Sequence, residues 1–113
     1  MKIERGDVLL VEFDPTIGSE IKKTRPAILV TNDVANAYAR VVVVVPLTSQ
    51  KLDTIFPHEV LLKNTKGFNK VSKANVSQLR AVDRLRIKSK LGEISTKDLS
   101  YLDAALKLHL GLS

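Results

Sequence analysis

Val41-Val42-Val43-Val44-Val45-Pro46-Leu47 is the stretch on which the fold turns. Five β-branched residues in succession are stiff about χ1 and favour a pleated strand over a helix. A run with no polar alternation belongs to a strand buried on both faces. It is interrupted by Pro46 and falls far short of the ~20 apolar residues a membrane span needs. Working upstream, Pro26 to Thr31 is a second run of this kind. Between the two, Asn32 to Ala39 has room for one or two helical turns, with Asn32 or Asp33 able to cap them. Before the loop at Thr16 to Thr24, Leu9, Val11 and Phe13 alternate with Leu10, Glu12 and Asp14, so a strand is expected from Asp7 to Phe13. Asp14-Pro15 ends its ladder, because Pro has no N–H to donate. Downstream, strands are expected over His58–Leu62, Val71–Val76 and Arg80–Asp83.

The period changes only at the C-terminus. Ser95 followed by Asp98 resembles a capping box, and Leu99, Leu102, Leu106 and Leu110 then recur at helical spacing until Gly111. Short strands, tight loops and one terminal amphipathic helix predict a small, mostly β barrel, a single domain over residues 1–113. No strand–helix–strand crossover is visible.

The charge balance points to an anionic partner. The net charge is +6, and Lys66, Lys70, Lys73, Arg80, Arg84, Arg86 and Lys88 lie between Lys63 and Lys90 against the single acid Asp83. Such a stretch suits nucleic acid, or an acidic protein that imitates it. Cys is absent, which removes disulfide, iron–sulfur and Cys-zinc chemistry. The N-terminus carries charges where a signal peptide would be apolar, so a cytoplasmic protein with no membrane attachment is expected.

Most enzyme classes have no parts here. The two histidines, His58 and His109, sit in different elements, and Glu12 with Asp14 does not make a carboxylate cluster. Neither a metal nor another cofactor is expected. A Gly-rich phosphate loop is missing, and a Ser-His-Asp triad cannot be assembled. RNA, however, carries its own nucleophile in the 2′-OH beside each phosphodiester. A ribonuclease needs only to align that hydroxyl, neutralise charge developing on phosphorus and move protons. An Arg, whose fork matches phosphate oxygens, and a few hydroxyls suffice.

Several motifs occur in a fixed order. Arg5-Gly6-Asp7-Val8 is followed by Phe13-Asp14-Pro15-Thr16-Ile17-Gly18-Ser19-Glu20, then Arg25-Pro26-Ala27-Ile28-Leu29-Val30, then Val45-Pro46-Leu47-Thr48-Ser49. The second half adds Phe56-Pro57, Gly67-Phe68 and the run Gln78 to Arg86. Taken together, the chain resembles the MazF/PemK toxins of bacterial toxin–antitoxin pairs along nearly its whole length. The resemblance implies an SH3-like barrel of the CcdB/PemK kind, assembled as a homodimer. It implies metal-independent, sequence-selective cleavage of single-stranded RNA, with a cyclic phosphate and a 5′-hydroxyl as products. It further implies an acidic antitoxin whose tail occupies the RNA groove. The family's catalytic Arg and Thr fall on Arg25 and Thr48, and Glu20 matches a loop glutamate that matters in some members. Gly18, Ser19, Lys23, Ser49, Gln78 and Asn75 are the expected substrate-binding positions. Asn75 and Ser77 stand where certain members have an arginine and an aspartate, which leaves the site to its Arg25/Thr48 form.

Plainer roles exist for each residue. Arg25 could fix its loop by pairing with Glu20 or Asp14, Thr48 could merely extend the strand, and Glu20 could be a solvated acid. Phe56 and Phe68 could pack in the core instead of stacking on a base. Two rival functions share the barrel: a CcdB-like inhibitor of a topoisomerase, and an RNA-binding module without catalysis.

Overall fold

The valine run forms the spine of the sheet. The computed structural model describes residues 1–63 and 65–112. In chain order these build β1 (Asp7–Glu12), β2 (Thr24–Leu29), α1 (Asp33–Tyr38), β3 (Val41–Thr48), β4 (Glu59–Leu62), β5 (Ser72–Asn75), β6 (Arg80–Asp83), β7 (Ile87–Glu93) and α2 (Thr96–Leu110). The strands form one antiparallel sheet in the order β4-β5-β3-β2-β1-β7, with β6 also paired to β3. Among the described residues its path does not close on itself, an arrangement compatible with a barrel-like fold.

β3 is long because it serves three neighbours. β2 pairs with Val44–Pro46 on one edge. On the other edge, β6 takes Val41–Val44 and β5 takes Leu47 and Thr48. Pro46 falls in the gap between β6 and β5, where a missing N–H costs the ladder least. From Val44 to Leu47 both faces of the run are buried, which is why it needs no polar alternation there; Val43 is half-buried and Val41 exposed. Val45 and Leu47 join Val8, Ile28, Leu62 and Val76 beneath α2, while Val42 and Val44 pack with Leu9, Val11, Phe13, Leu29 and Val82 on the opposite face.

Both helices start as expected. The Asn32 Oδ1 accepts from the Ala35 N–H at 3.0 Å, and the Ser95 Oγ accepts from the Asp98 N–H at 3.0 Å. Gly111 closes α2 in the left-handed conformation, φ 71°. Leu102 and Ala105 bury against the sheet with Leu99 and Leu106 alongside, whereas Leu110, expected on the same stripe, is exposed.

One strand was illegible in the sequence. Ile87, Ser89 and Leu91 of β7 turn inward, and Lys88 and Lys90 turn out beside β1. Lys88 meets Glu12 at 3.1 Å and Lys90 meets the buried Asp7 at 3.2 Å. Lysines on an edge strand discourage pairing with other chains; counted as part of a basic stretch, they conceal the alternation. At the end of β7, Gly92 lies under the Lys66–Glu93 bridge. A Cβ there would sit 2.1 Å from the Lys66 carbonyl oxygen, which is backbone and cannot swing aside. Gly92→Ala should therefore destabilise the fold by about 1–3 kcal/mol in urea unfolding, the usual cost of overpacking; unchanged stability would show that this end of the sheet yields freely.

Candidate functional site

Sheet register brings Arg25 and Thr48 together. The β2–β3 ladder runs Leu29↔Val44, Ile28↔Val45, Ala27↔Pro46; Arg25 and Thr48 follow two residues beyond its end, on the same side of their strands as Ala27 and Pro46. Val11 lies opposite Arg25 on the other side, and Lys73 of β5 lies opposite Thr48. Val11 and Lys73 are buried, whereas Arg25 and Thr48 between them are half-buried and reach solvent. Arg25 and Thr48 both line two adjoining clefts, one with Ser49, Phe68 and Lys70, the other with Phe56, His58, Lys73 and Asn75.

The hydrogen bonds show which groups are already spent. The Thr48 Oγ1 accepts from the Gln50 N–H at 3.2 Å, which orients the hydroxyl and leaves its own proton to donate. Arg25 donates through Nε to the Lys22 carbonyl at 2.9 Å. Among the described residues no carboxylate forms a salt bridge with it, so its two Nη groups keep their fork for an anion. The loop-fixing pair with Glu20 or Asp14 does not form. The Glu20 Oε1 instead accepts from the Ile17 N–H at 2.6 Å, and Asp14 takes the Thr16 hydroxyl at 3.3 Å.

The remaining expected residues divide into groups. Ser19, Glu20 and Gln78 line a third cleft with Phe13 and Arg80, so the structure does not bring Glu20 into the clefts of Arg25 and Thr48. Gln78 grips the loop after β1. Its Oε1 accepts from the Ile21 N–H at 3.2 Å, and its Nε2 donates to the Ser19 carbonyl at 3.3 Å. The Asn75 Oδ1 accepts from the N–H and hydroxyl of Ser77, holding the turn that presents Gln78. Gly18 and Lys23 are exposed, line none of these clefts, and adopt positive φ of 57° and 69°, so they shape the loop. A Cβ at Gly18 would meet no heavy atom within 4 Å, so conformation and not space is what glycine provides there.

The basic stretch needs correction. Lys73 is buried against Glu59, Lys66 pairs with Glu93, and Lys88 and Lys90 hold β1 acids. Arg80 donates to the Phe13 carbonyl at 2.7 Å, Arg84 to Ala39 and Asn36 carbonyls, and Arg86 to Glu12 and Asp14 carbonyls. Proximity in sequence is not a shared face, and these cations mostly secure loops. Lys70 is the one that lines a cleft with Arg25 while staying exposed. Sequence reasoning also passed over His58, read only as the start of a strand. It lies just before β4 and lines the same cleft as Arg25. Among the described residues no three His, Cys, Asp or Glu side chains cluster as metal ligands, and no helix is long and apolar enough to cross a membrane.

Comparison with known proteins fits this geometry. Residues 4–110 match the PemK-like, MazF-like toxin family of type II toxin–antitoxin systems. The chain belongs to that family. It is 40% identical to the endoribonuclease MazF9 of Mycobacterium tuberculosis, the alignment covering 97% of this chain and 98% of that protein. Its fold superposes on the crystal structure of MazF from Deinococcus radiodurans with a TM-score of 0.84 at 25% identity, covering 98% of both chains. A mycobacterial endoribonuclease solved in complex with its cognate antitoxin has the same fold, with a TM-score of 0.80 at 21% identity over 98% of this chain and 97% of that one.

In this MazF-like chain Gln78 clamps the far part of the loop after β1, at Ser19 and Ile21. Gln78→Ala should accelerate hydrogen exchange at the Ile21 amide while lowering global stability by only about 1 kcal/mol. Unchanged exchange at Ile21 would show that the clamp is not closed in solution.

Proposed function

We propose that this toxin is a sequence-selective endoribonuclease that cuts single-stranded RNA without a metal, using Arg25 and Thr48. The observation that carries the reading is the pair itself: an uncommitted guanidinium fork and a hydroxyl with a proton to give, on adjacent strands at one open cleft. A phosphodiester seated there receives the Arg25 fork on its non-bridging oxygens and the Thr48 hydroxyl beside it. The neighbouring 2′-oxygen attacks phosphorus, forming the 2′-O–P bond as the P–O5′ bond breaks. The 2′-proton leaves, the departing 5′-oxygen gains a proton, and the products are a 2′,3′-cyclic phosphate and a 5′-hydroxyl. Charge grows on the phosphorane oxygens in the transition state, so the Arg25 interaction strengthens as the reaction proceeds. A guanidinium stays charged in a protein, so it serves this step as a charge stabiliser and not as a base.

Ser49 lines the cleft beside Thr48, and Asn75 lines the one that Arg25 and Thr48 share with His58; both are assigned to the strand's sugar–phosphate path. Ser19 and Gln78 border the neighbouring cleft, which extends the path, and Gly18, Glu20 and Lys23 act by shaping its loop. The chain works as a single domain in the cytoplasm, where its substrate is found. The relative solved with its cognate antitoxin supports a protein inhibitor here too; a +6 chain selects an acidic one.

A homodimer is supported by exposed apolar residues that line neither Arg25 cleft. Val34 and Tyr38 stand one turn apart on α1, Val41 opens β3, and Leu85 follows β6; all four are exposed. Arg84 ties Leu85's turn to the end of α1 through the Ala39 and Asn36 carbonyls, so the residues form one surface.

Incubation with a long single-stranded RNA in EDTA should yield discrete fragments with 5′-hydroxyl ends. Arg25→Ala should lower kcat/KM by about 100- to 1,000-fold, the usual cost of one transition-state donor. Cleavage untouched by Arg25→Ala contradicts the assignment, and salt-dependent binding that leaves RNA intact favours a non-catalytic barrel. In sedimentation the wild type should run at twice the chain mass and Tyr38→Asp/Leu85→Asp as a monomer; an unchanged dimer would move the interface elsewhere.

A further inference from the structure

Phe56 is an aromatic ring that the core does not use. It is 52% exposed in a chain with few aromatic residues, and it borders the cleft lined by Arg25 and Thr48. One face of the ring is covered: His58 stacks on it with centroids 5.7 Å apart and planes 2° from parallel. His58 in turn meets His109 of α2 at 6.4 Å. The Lys73 Nζ lies over the same ring, and the residue still keeps half of its surface open to solvent.

The segment carrying Phe56 is held unusually firmly for a loop. Beneath it the Lys73 and Glu59 side chains form an ion pair at 3.1 Å, exposed by only 5% and 6%. The ammonium also donates to the Lys51 carbonyl at 2.9 Å and the Thr54 carbonyl at 3.0 Å. All three of its protons are therefore placed, and none remains for a phosphate. The same Glu59 oxygen accepts from the Phe56 N–H at 3.0 Å, and the Glu59 N–H donates back to the Phe56 carbonyl at 2.9 Å. Burying an ion pair is costly unless its hydrogen bonds are satisfied. Here those bonds fix the loop at residues 51, 54 and 56, and the Lys73 nitrogen lies 6.0 Å from the Phe56 ring centre.

We propose that the exposed part of the Phe56 ring is a stacking site for one unpaired nucleobase of the bound strand, with Lys73 and Glu59 as the positioning pair that holds it beside the cleaved phosphate. The inference rests on the nuclease reading and adds a base-binding position to it. A planar ring whose far side is backed by a second ring is a rigid platform, and base–aromatic stacking accepts any base. Lys73 acts through the loop and not on substrate.

The test uses 2′-deoxy strands matching a mapped cleavage site, which lack the nucleophile and stay intact, each carrying 2-aminopurine at one position. One position should lose fluorescence on binding the wild-type protein, because stacking quenches this base. Phe56→Tyr should preserve that signal. Phe56→Ala should abolish it and weaken binding by about 5- to 150-fold. Lys73→Met/Glu59→Leu should lose the signal as well while melting near the wild type, since apolar replacement of a buried pair is often neutral for stability. If that variant melts early, Lys73→Met/Glu59→Gln provides the same comparison with the shape better retained and no unpaired buried charge. Full signal in Phe56→Ala overturns the stacking site, and full signal in the folded pair variants overturns the positioning role. A wild-type protein that leaves RNA uncut in EDTA overturns the nuclease reading itself, a separate result.

Discussion

The antiparallel register between β2 and β3 is the constraint on which the candidate site depends. Its last pair is Ala27 opposite Pro46, two residues before Arg25 and Thr48, and a slip of one residue would turn one of them into the core. That register is itself enforced by burial. Ile28 and Val45 belong under α2, whereas Ala27, Leu29 and Val44 belong to the opposite cluster. The valine run therefore does more than fill space. Its two-sided burial locks the alignment of a guanidinium and a hydroxyl at the end of the ladder.

Around that rigid pair the loops are secured by polar side chains. Gln78 holds the segment after β1, and Lys73 with Glu59 holds the segment after β3. Much of the chain's positive charge is spent in this way. Arg80, Arg84 and Arg86 end on backbone carbonyls, and Lys66, Lys88 and Lys90 on carboxylates. A net +6 still attracts polyanions at long range. At the Arg25 cleft, in contrast, the Arg25 Nη groups are uncommitted and exposed Lys70 lies beside them.

Local pattern made most of the fold legible, because period and caps are encoded within a few residues. The Asn32 and Ser95 caps, the Gly111 stop and the strand at Arg80–Asp83 stand where the sequence puts them. β7 was obscured because Lys88 and Lys90 read as a ligand-binding charge, although their partners are acids on a strand about eighty residues earlier. The order of motifs directed attention to Arg25 and Thr48, while their proximity depends on pairing between distant segments. The buried Lys73–Glu59 pair was invisible for the same reason: each residue alone reads as a surface charge, and only folding brings β4 against β5. Glu20 shows the converse. Five residues from Arg25 in sequence, it turns to the Ile17 amide and lines a different cleft.

A double-mutant cycle on single-turnover RNA cleavage addresses the shared grip most directly. Arg25→Ala and Thr48→Val should each slow the chemical step, and the combined variant should be scarcely slower than the worse of the two, because groups acting on one phosphodiester are not independent. Losses that multiply in full would mean that the two side chains act at separate places, and the account built on their register would be wrong.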